Sequence, residues 1–466
     1  MNKNIKILFF IVVIVILTPL SYKQYINNIV VKKIADLNNQ GLMITQQKDN
    51  STFLTTSKVY KIVVSNPSTL YKNFLSQFFN NSQKDMVKKI LNSTNGSEIT
   101  IDLNILNFPV THKNAIGIYL TSLPPKIVSS SKPNPSLEQV KLFLKNKGFG
   151  IIVNANAFGK IKSITLKNID KKFDNKKDNI VIQIKDYVTN FSKINFQNYD
   201  YAFVTTNSLF NFDFNHSTSK YLNIGYKNLK YNTDRENFYN YTMSCSLKNF
   251  HFNSERYLKK QALKLDNIII STKSALFADN VNYLFKYKVK DINFDVTSRY
   301  GKNITTNINN FLFSGSVKGL NKDILKDISE ISYTNKYLFK QKYLQILQSI
   351  LNNGLEFQIN HFDADSIFIN QGKQLISFGK ISTKLKLNIL KNNIDLSKKF
   401  NPILLIKYIN IHAKIGITKK DFNFIKSLDK RGKMGKFFKL AKKQGDNVIF
   451  DIGFSNGQLA INNQKI

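Results

Sequence analysis

The stretch that decides the fold is YLFKYKV at Tyr283–Val289, and a second alternating run follows it at Ile292, Phe294 and Val296. Apolar and polar residues alternate with a period of two, which is the pattern of a β-strand with one apolar and one polar face. The same alternation recurs along the chain, with apolar members at Ile99, Ile101, Leu103, Ile105, Ile180, Ile182, Ile184, Leu385, Leu387, Ile389, Ile409, Ile411, Ala413, Ile415 and Ile417. These repeats predict a mainly β fold with helical insertions, built on a long antiparallel sheet that is curved or wrapped.

Composition supports a large folded body. The chain has 466 residues, of which 42% are hydrophobic, and it contains 37 Phe and 21 Tyr, which argues against wholesale disorder. Its one cysteine, Cys245, cannot form an intrachain disulfide, so apolar burial must supply the stability. No basic group stands beside Cys245 in the sequence, which indicates a buried and unreactive thiol.

An apolar run near the first residue indicates an export signal or a membrane anchor. Lys3 and Lys6 precede the run, while Thr18–Ser21 offers no small-residue pair for signal cleavage. A helix over residues 5–22 would span roughly 27 Å, enough for a thin bilayer. An uncleaved anchor is therefore favoured over a cleaved signal or a buried soluble helix. The predicted anchor residues are Ile7, Leu8, Phe9, Phe10, Ile11, Val12, Val13, Ile14, Val15, Ile16 and Leu17.

Helical spacing interrupts the strand pattern at three places. Apolar residues recur in steps of three and four from Tyr22 to Leu37, with Gly41 as the C-cap, and we expect this amphipathic helix to pack on the β body. A second segment ends at Asn353-Gly354 and is either one helix or two helices broken near residues 333–334. The predicted organisation is an anchor at 1–22, an amphipathic stalk helix at 23–41, a β-rich body at 42–320, a helical segment at 321–353, and a C-terminal β region at 354–466 that contains a basic helix at 421–443.

The charge of the chain is strongly positive and comes almost entirely from lysine. The net charge is +38, and arginine occurs at only four positions. Base reading and bidentate phosphate binding favour arginine, whereas dispersed lysine gives a general attraction to anionic surfaces. For an exported body those surfaces are lipid headgroups and envelope polymers, so no nucleic-acid partner is expected. A bias towards Asn, Lys and Ile throughout the sequence is the alternative explanation of the charge.

The strongest local interaction signal is the third helical segment, where basic residues alternate with Phe437, Phe438 and Leu440. This pattern suits contact with an anionic membrane surface. The favoured alternative is a solvated helix whose apolar side packs on the sheet. The basic residues of the predicted membrane contact are Lys430, Arg431, Lys433, Lys436, Lys439, Lys442 and Lys443.

No motif in the sequence predicts catalysis, a cofactor or a metal. The chain has no G-x-S-x-G, P-loop, G-x-G-x-x-G or Cys/His cluster. His361, Asp363 and Asp365 fall on one side of a strand, but same-face neighbours lie about 7 Å apart, which is too far for one ion. A polar, solvent-facing surface is the favoured interpretation of these residues. The sequence therefore predicts a non-enzymatic protein.

The order of elements resembles the YdgA-like family of bacterial envelope proteins. Ser51–Ser57 resembles an early element of that family, Leu355–Phe362 through Lys373 resembles its strand-turn-strand unit, and Phe454–Asn462 resembles its closing strand with an Asn-Gly hairpin. The tryptophan that the family carries after the early turn is missing. The resemblance implies a single-pass protein of the bacterial inner membrane with its body in the periplasm and no established enzymatic activity. A weaker similarity to AsmA-like proteins implies lipid handling.

These expectations combine into one functional hypothesis. The chain would be a membrane-anchored envelope protein whose curved sheet binds or guides lipid, with the inner-membrane bilayer and a bound lipid as its partners. The first alternative is a structural or protein-interaction module whose inner face is filled by Phe and Ile side chains. A third class, nucleic-acid binding, requires exposure to the cytosol.

Overall fold

The computed structural model describes residues 23–75, 87–88, 91–92, 95–106, 114–123, 135–156, 160–174, 178–195, 198–216, 220–256, 259–297, 303–323, 325, 336–372, 374–396, 402–429 and 434–465. Strands dominate these residues, and the 24 strands that they contain form one antiparallel sheet. The prediction of a mainly β fold with helical insertions is therefore confirmed. The chain divides into two compact units, Met1–Ile194 with Thr205–Asn207, and Asn195–Val204 with Ser208–Ile466.

The first unit combines short strands with helices. Its helices are α1 (residues 23–38), α2 (Pro67–Leu70), which continues as a π-helical turn (Tyr71–Leu75), and α3 (Pro135–Lys145). Its strands are β1 (Leu42–Asp49), β2 (Thr55–Val64), β3 (Glu98–Leu106), β4 (Asn114–Leu120), β5 (Phe149–Ala155), β6 (Ile161–Leu166), β7 (Ile169–Asp174), β8 (Asp178–Lys185) and β9 (Val188–Asn195).

Helix α1 corresponds to the predicted stalk helix, and its apolar stripe packs on the sheet as expected. Three of its residues lie against a buried cluster on β2 and β3: Ile26, Val30 and Ile34 contact Tyr60, Leu103 and Ile105. Gly41 ends the helix in the left-handed region, at φ +93°. A side chain there would overlap the carbonyl of Asn66, so this turn requires glycine.

The predicted membrane anchor, residues 7–17, lies outside the described residues. Among the residues that the structure does describe, no helix combines the length and apolar character needed to cross a membrane.

The second unit contains the long strands. Its strands are β10 (Asp200–His216, of which Thr205–Asn207 belong to the first unit), β11 (Lys220–Arg235), β12 (Tyr241–Arg256), β13 (Lys259–Phe277), β14 (Asn280–Thr297), β15 (Asn303–Asn321), β16 (Leu355–Ala364), β17 (Ser366–Gln371), β18 (Gln374–Phe378), β19 (Ile381–Ile389), β20 (Ile409–Thr418), β21 (Lys442–Gln444), β22 (Asn447–Ser455), β23 (Gln458–Ile461) and β24 (Gln464–Lys465). Its helices are α4 (Lys336–Asn353), a 3-10 helix (Pro402–Tyr408), α5 (Lys419–Leu428) and α6 (Gly435–Lys439).

Both alternating runs of the opening stretch lie on one strand, β14, and the phase changes between Val289 and Ile292. The same three-residue step between apolar positions occurs on β11, β12, β13 and β15, for example from Leu265 to Ile268 on β13. One residue from each strand lies at this step, and the flanking registers place the five opposite one another. We call them the transverse row: Asn228, Lys248, Asn267, Lys290 and Asn310.

The transverse row explains how the phase changes without breaking the sheet. Asn228, Asn267 and Asn310 adopt left-handed backbone conformations with φ values of +52°, +50° and +51°. Asparagine tolerates this conformation better than most residues. An extra residue in one strand normally shifts the register of pairing. Here each of the five strands from β11 to β15 carries the extra residue, so the register is the same on both sides of the row.

Two predicted helices differ in extent from the observed elements. The predicted basic helix at 421–443 is replaced by α5, α6 and strand β21, because Lys442–Gln444 pair with β22 through a turn at Gly445. The predicted helical segment at 321–353 is observed as α4 in its second half, and Gly354 at φ +77° ends it as expected. Residues 326–335 lie outside the described part, so the choice between one and two helices stays open.

Candidate functional site

One side of the long strands carries a group of aromatic rings. Tyr287 pairs with Phe313, which pairs with Phe362, and these three therefore project from the same side of β14, β15 and β16. Their ring centroids lie 6.0 Å apart in each pair. We call the whole group the aromatic face: Tyr231, Tyr241, Tyr283, Phe285, Tyr287, Phe313, Phe357 and Phe362.

Phe285 lies at the centre of the aromatic face and is its buried member, with 8% exposure. Its ring centroid is 5.1 Å from that of Phe313 and 6.5 Å from that of Phe357. Gly315 is its cross-strand neighbour on β15. A Cβ at Gly315 would lie 2.7 Å from Cζ of Phe285, so the glycine makes room for this ring.

The other rings of the aromatic face are only partly buried, and Phe362 is 45% exposed. Tyrosine phenols are neutral at physiological pH, and burial raises the pKa of Tyr231, Tyr241 and Tyr283 further above it. The face is thus apolar and uncharged over its rings but still accessible. Such a surface can bind an apolar chain by excluding water from it.

The opposite side of the same strands is polar and rich in lysine. On β14, Lys286 and Lys288 alternate with the rings and are exposed. Ile269 and Leu284 lie on this side and are about as exposed as Phe362, at 45% and 47%. They are useful for comparison because they are apolar residues outside the aromatic face.

The predicted membrane-contact residues belong to the basic C-terminal segment at 430–443, which does not contribute to the aromatic face. Phe437 and Phe438 point into a buried cluster with Phe422 and Phe450, so the apolar side of this segment packs on the sheet, which was the favoured alternative. The four described basic residues of the set are exposed, two on or beside α6 and two on β21: Lys436, Lys439, Lys442 and Lys443. The other three lie outside the described residues: Lys430, Arg431 and Lys433. Their contact with a membrane stays a prediction.

The three residues considered as metal ligands, His361, Asp363 and Asp365, take part in hydrogen bonds. Nδ1 of His361 lies 2.8 Å from Oδ2 of Asp363, and Ser382 donates to Oδ1 of the same carboxylate at 2.8 Å. Asp365 accepts from Asn310 of the transverse row at 2.8 Å. Within the described ranges, no group of three His, Cys, Asp or Glu side chains is arranged to hold a metal ion.

His251 on β12 gives the stability a pH dependence. Burial, and secondly the charge of Lys227, lower the pKa of His251 below its ordinary value of 6.5. Protonation therefore costs more in the folded protein than in the unfolded chain. The contribution to stability is complete above about pH 6.5 and is lost as the pH falls through the lowered pKa.

We therefore expect His251→Gln to flatten the acid loss of stability, measured as the urea midpoint between pH 7.5 and pH 5. The Lys227→Gln protein should show a smaller flattening, because it removes only the second cause. An unchanged pH profile in the His251→Gln protein would contradict this assignment.

The alternation in the sequence predicts that Tyr283, Phe285 and Tyr287 lie on a strand, but it does not assign them to a site. Their partners on β15 and β16 come from distant parts of the chain, and the pairing depends on register. The usable signal is that three successive alternating positions of β14, residues 283, 285 and 287, are all aromatic. Comparison of the chain with protein-family models, with curated proteins and with solved structures found no match. The resemblance to the YdgA-like family stays a prediction, and the function rests on the chain's own residues.

Proposed function

We propose that this chain is a non-enzymatic, membrane-anchored protein of the bacterial envelope that binds or guides lipid along the aromatic face. One observation carries the proposal. Neighbouring rings of the aromatic face contact one another on β14, β15 and β16, and all of its rings except Phe285 remain partly exposed, while the other side of the same strands is polar and rich in lysine. A sheet with these two sides can shield an acyl chain on one side and remain hydrated on the other.

The energetics favour acyl chains over small polar ligands. Each methylene that leaves water contributes about 0.8 kcal/mol, so a chain that covers several rings binds through many small contributions. Rings in offset and edge contact form a surface without a fixed polar pocket, which selects for apolar length rather than for one headgroup. The lysine-rich charge adds attraction to anionic bilayers, at about 1 kcal/mol for each lysine close to the surface.

Location is the second part of the proposal. Residues 7–17 would anchor the protein in the inner membrane as a single pass, with the body in the periplasm. The bilayer would then be both the attachment site and the source of the bound lipid. The exposed lysines Lys436, Lys439, Lys442 and Lys443 would face its headgroups.

The test measures lipid that co-purifies with the full chain after extraction in a mild detergent. Phe362→Lys should reduce the bound lipid several-fold, because it places a charge among the rings at an exposed position. Ile269→Lys is the matched control, since this residue is equally exposed but lies on the polar side, and it should retain lipid. A lipid-free parent protein, under conditions in which a known lipid carrier keeps its lipid, would overturn the proposal. That outcome would favour a structural or protein-interaction module of the envelope.

A further inference from the structure

An arginine lies at one end of the aromatic face, inside a group of four aromatic rings. The guanidinium carbon of Arg235 is 4.7 Å from the ring centroid of Tyr241, its cross-strand neighbour. The other three rings are Tyr199, Tyr201 and Phe238, at 5.7, 5.7 and 6.0 Å.

This environment is unusual in a chain that uses lysine almost throughout. Arg235 is one of four arginines, and it is partly buried. Within the described part of the chain, the guanidinium is held by rings and forms no ion pair with a carboxylate. The neighbouring acids Asp234 and Glu236 line a cavity that Lys273 shares. Arg235 is therefore a positive charge that the fold keeps in place without neutralising it.

The chemistry of the guanidinium shows what it can bind. Aromatic faces attract the flat cation through their quadrupoles and fix its orientation. The N–H groups lie in the plane of the guanidinium and form a fork that matches the oxygens of a phosphate or carboxylate. A lysine at this position would offer a flexible point charge instead.

The position of Arg235 relates this charge to the aromatic face. Arg235 pairs with Tyr241, Tyr241 pairs with Ser274, and Ser274 pairs with Tyr283, so one row of residues leads from the guanidinium to the rings. Neighbouring strands lie about 4.8 Å apart, so Tyr283 is about 14 Å across the sheet from Arg235. That distance corresponds to part of an acyl chain.

We propose that Arg235 binds the phosphate of a phospholipid whose acyl chains lie on the aromatic face. The inference rests on the proposed function and adds to it a headgroup class and an orientation for the bound lipid. The phosphate end would lie at the β11–β12 end of the face, beside Tyr241. The chains would extend across Tyr283 and Phe285 towards β16.

The test compares two probes that share the same acyl chains. One is phosphatidylglycerol with a fluorescent chain, and the other is the corresponding diacylglycerol, which has no phosphate. Arg235→Gln in the full chain should weaken binding of phosphatidylglycerol by about tenfold and leave diacylglycerol binding unchanged. Arg235→Lys should recover only part of the loss, because the fork is missing. Arg256→Gln is the matched control: it removes one arginine charge from the opposite end of β12 and should leave both affinities unchanged.

The possible results separate the two proposals. If the parent protein binds neither probe, the proposed lipid function is wrong and this inference is wrong with it. If the parent binds both, and Arg235→Gln weakens both equally or neither, the lipid function stands and the phosphate site is overturned. Thermal unfolding of each variant shows whether its fold is intact. A destabilised Arg235→Gln protein is replaced by Arg235→Met, which keeps more of the apolar contact with the rings, and the same selective loss is expected.

Discussion

Gly315→Ala is expected to destabilise the protein by about 3 kcal/mol, near the upper end of the usual range for overpacked sites. Gly315 lies opposite a bulge in β16, where the pairing passes from His361 directly to Ile359. A Cβ would overlap the carbonyl oxygen of Gln358 and press against the ring of Phe285. The carbonyl belongs to the sheet backbone and cannot rotate away, so the strand itself must move.

The measurement is urea unfolding followed by far-ultraviolet circular dichroism. Gly453→Ala is the matched control, because this glycine also lies in a strand of the second unit and a Cβ there would meet no atom within 4 Å. We expect the control to change the free energy of unfolding by less than about 0.5 kcal/mol. Equal effects of the two substitutions would show that the contact with Gln358 and Phe285 is not what requires glycine at position 315.

Local features of the fold could be predicted from sequence because each depends on a few adjacent residues. The alternation in β14 needs only its own residues to specify a strand. An Asn-Gly pair such as Asn456-Gly457 favours a type I′ turn, and the two residues have φ values of +50° and +76° between the paired Ser455 and Gln458. The helix stop at Gly354 is of the same kind.

The aromatic face and its arginine could not be predicted in this way, because both depend on register. Phe313 meets Phe362 only because one extra residue, Asn360, shifts the pairing of β16. Arg235 is held by Tyr199 and Phe238, which lie beyond the ends of strands and carry no periodic signal. The register between strands that are distant in the chain cannot be predicted from any short segment of the sequence.

In the basic segment, a local helical pattern predicts a longer helix than the structure contains. Phe437, Phe438 and the lysines around them have helical spacing up to residue 443. The structure ends α6 at Lys439, because Leu440 and Ala441 pack into the C-terminal core and the next residues pair with β22. Backbone pairing with a neighbouring strand and burial of two apolar side chains outweigh a weak helix preference.

Deletion of Asn267 is expected to be the most disruptive single change in the long strands, with a loss of at least about 4 kcal/mol. Without this residue, β13 would lose its phase change while β12 and β14 keep theirs. Because side chains alternate with a period of two, Leu263 and Leu265 would then project to the side that the neighbouring strands use for polar groups. The alternative is a one-residue slip of pairing along half of the strand, which misplaces the same leucines.

Substitutions at Asn267 separate the role of its backbone from that of the extra residue. Asn267→Gly should be close to neutral, since glycine adopts φ +50° freely, whereas Asn267→Ala should cost about 1 kcal/mol. Asn293→Ala is the matched control, because it lies on β14 and its φ is not positive. If deletion of Asn267 lowered the unfolding midpoint no more than Asn267→Ala does, the strands would not depend on sharing the extra residue. We expect the unfolding midpoint to be lowest for the deletion, intermediate for Asn267→Ala and highest for Asn267→Gly. That order would show that the five strands keep a common register because each of them contains one extra residue.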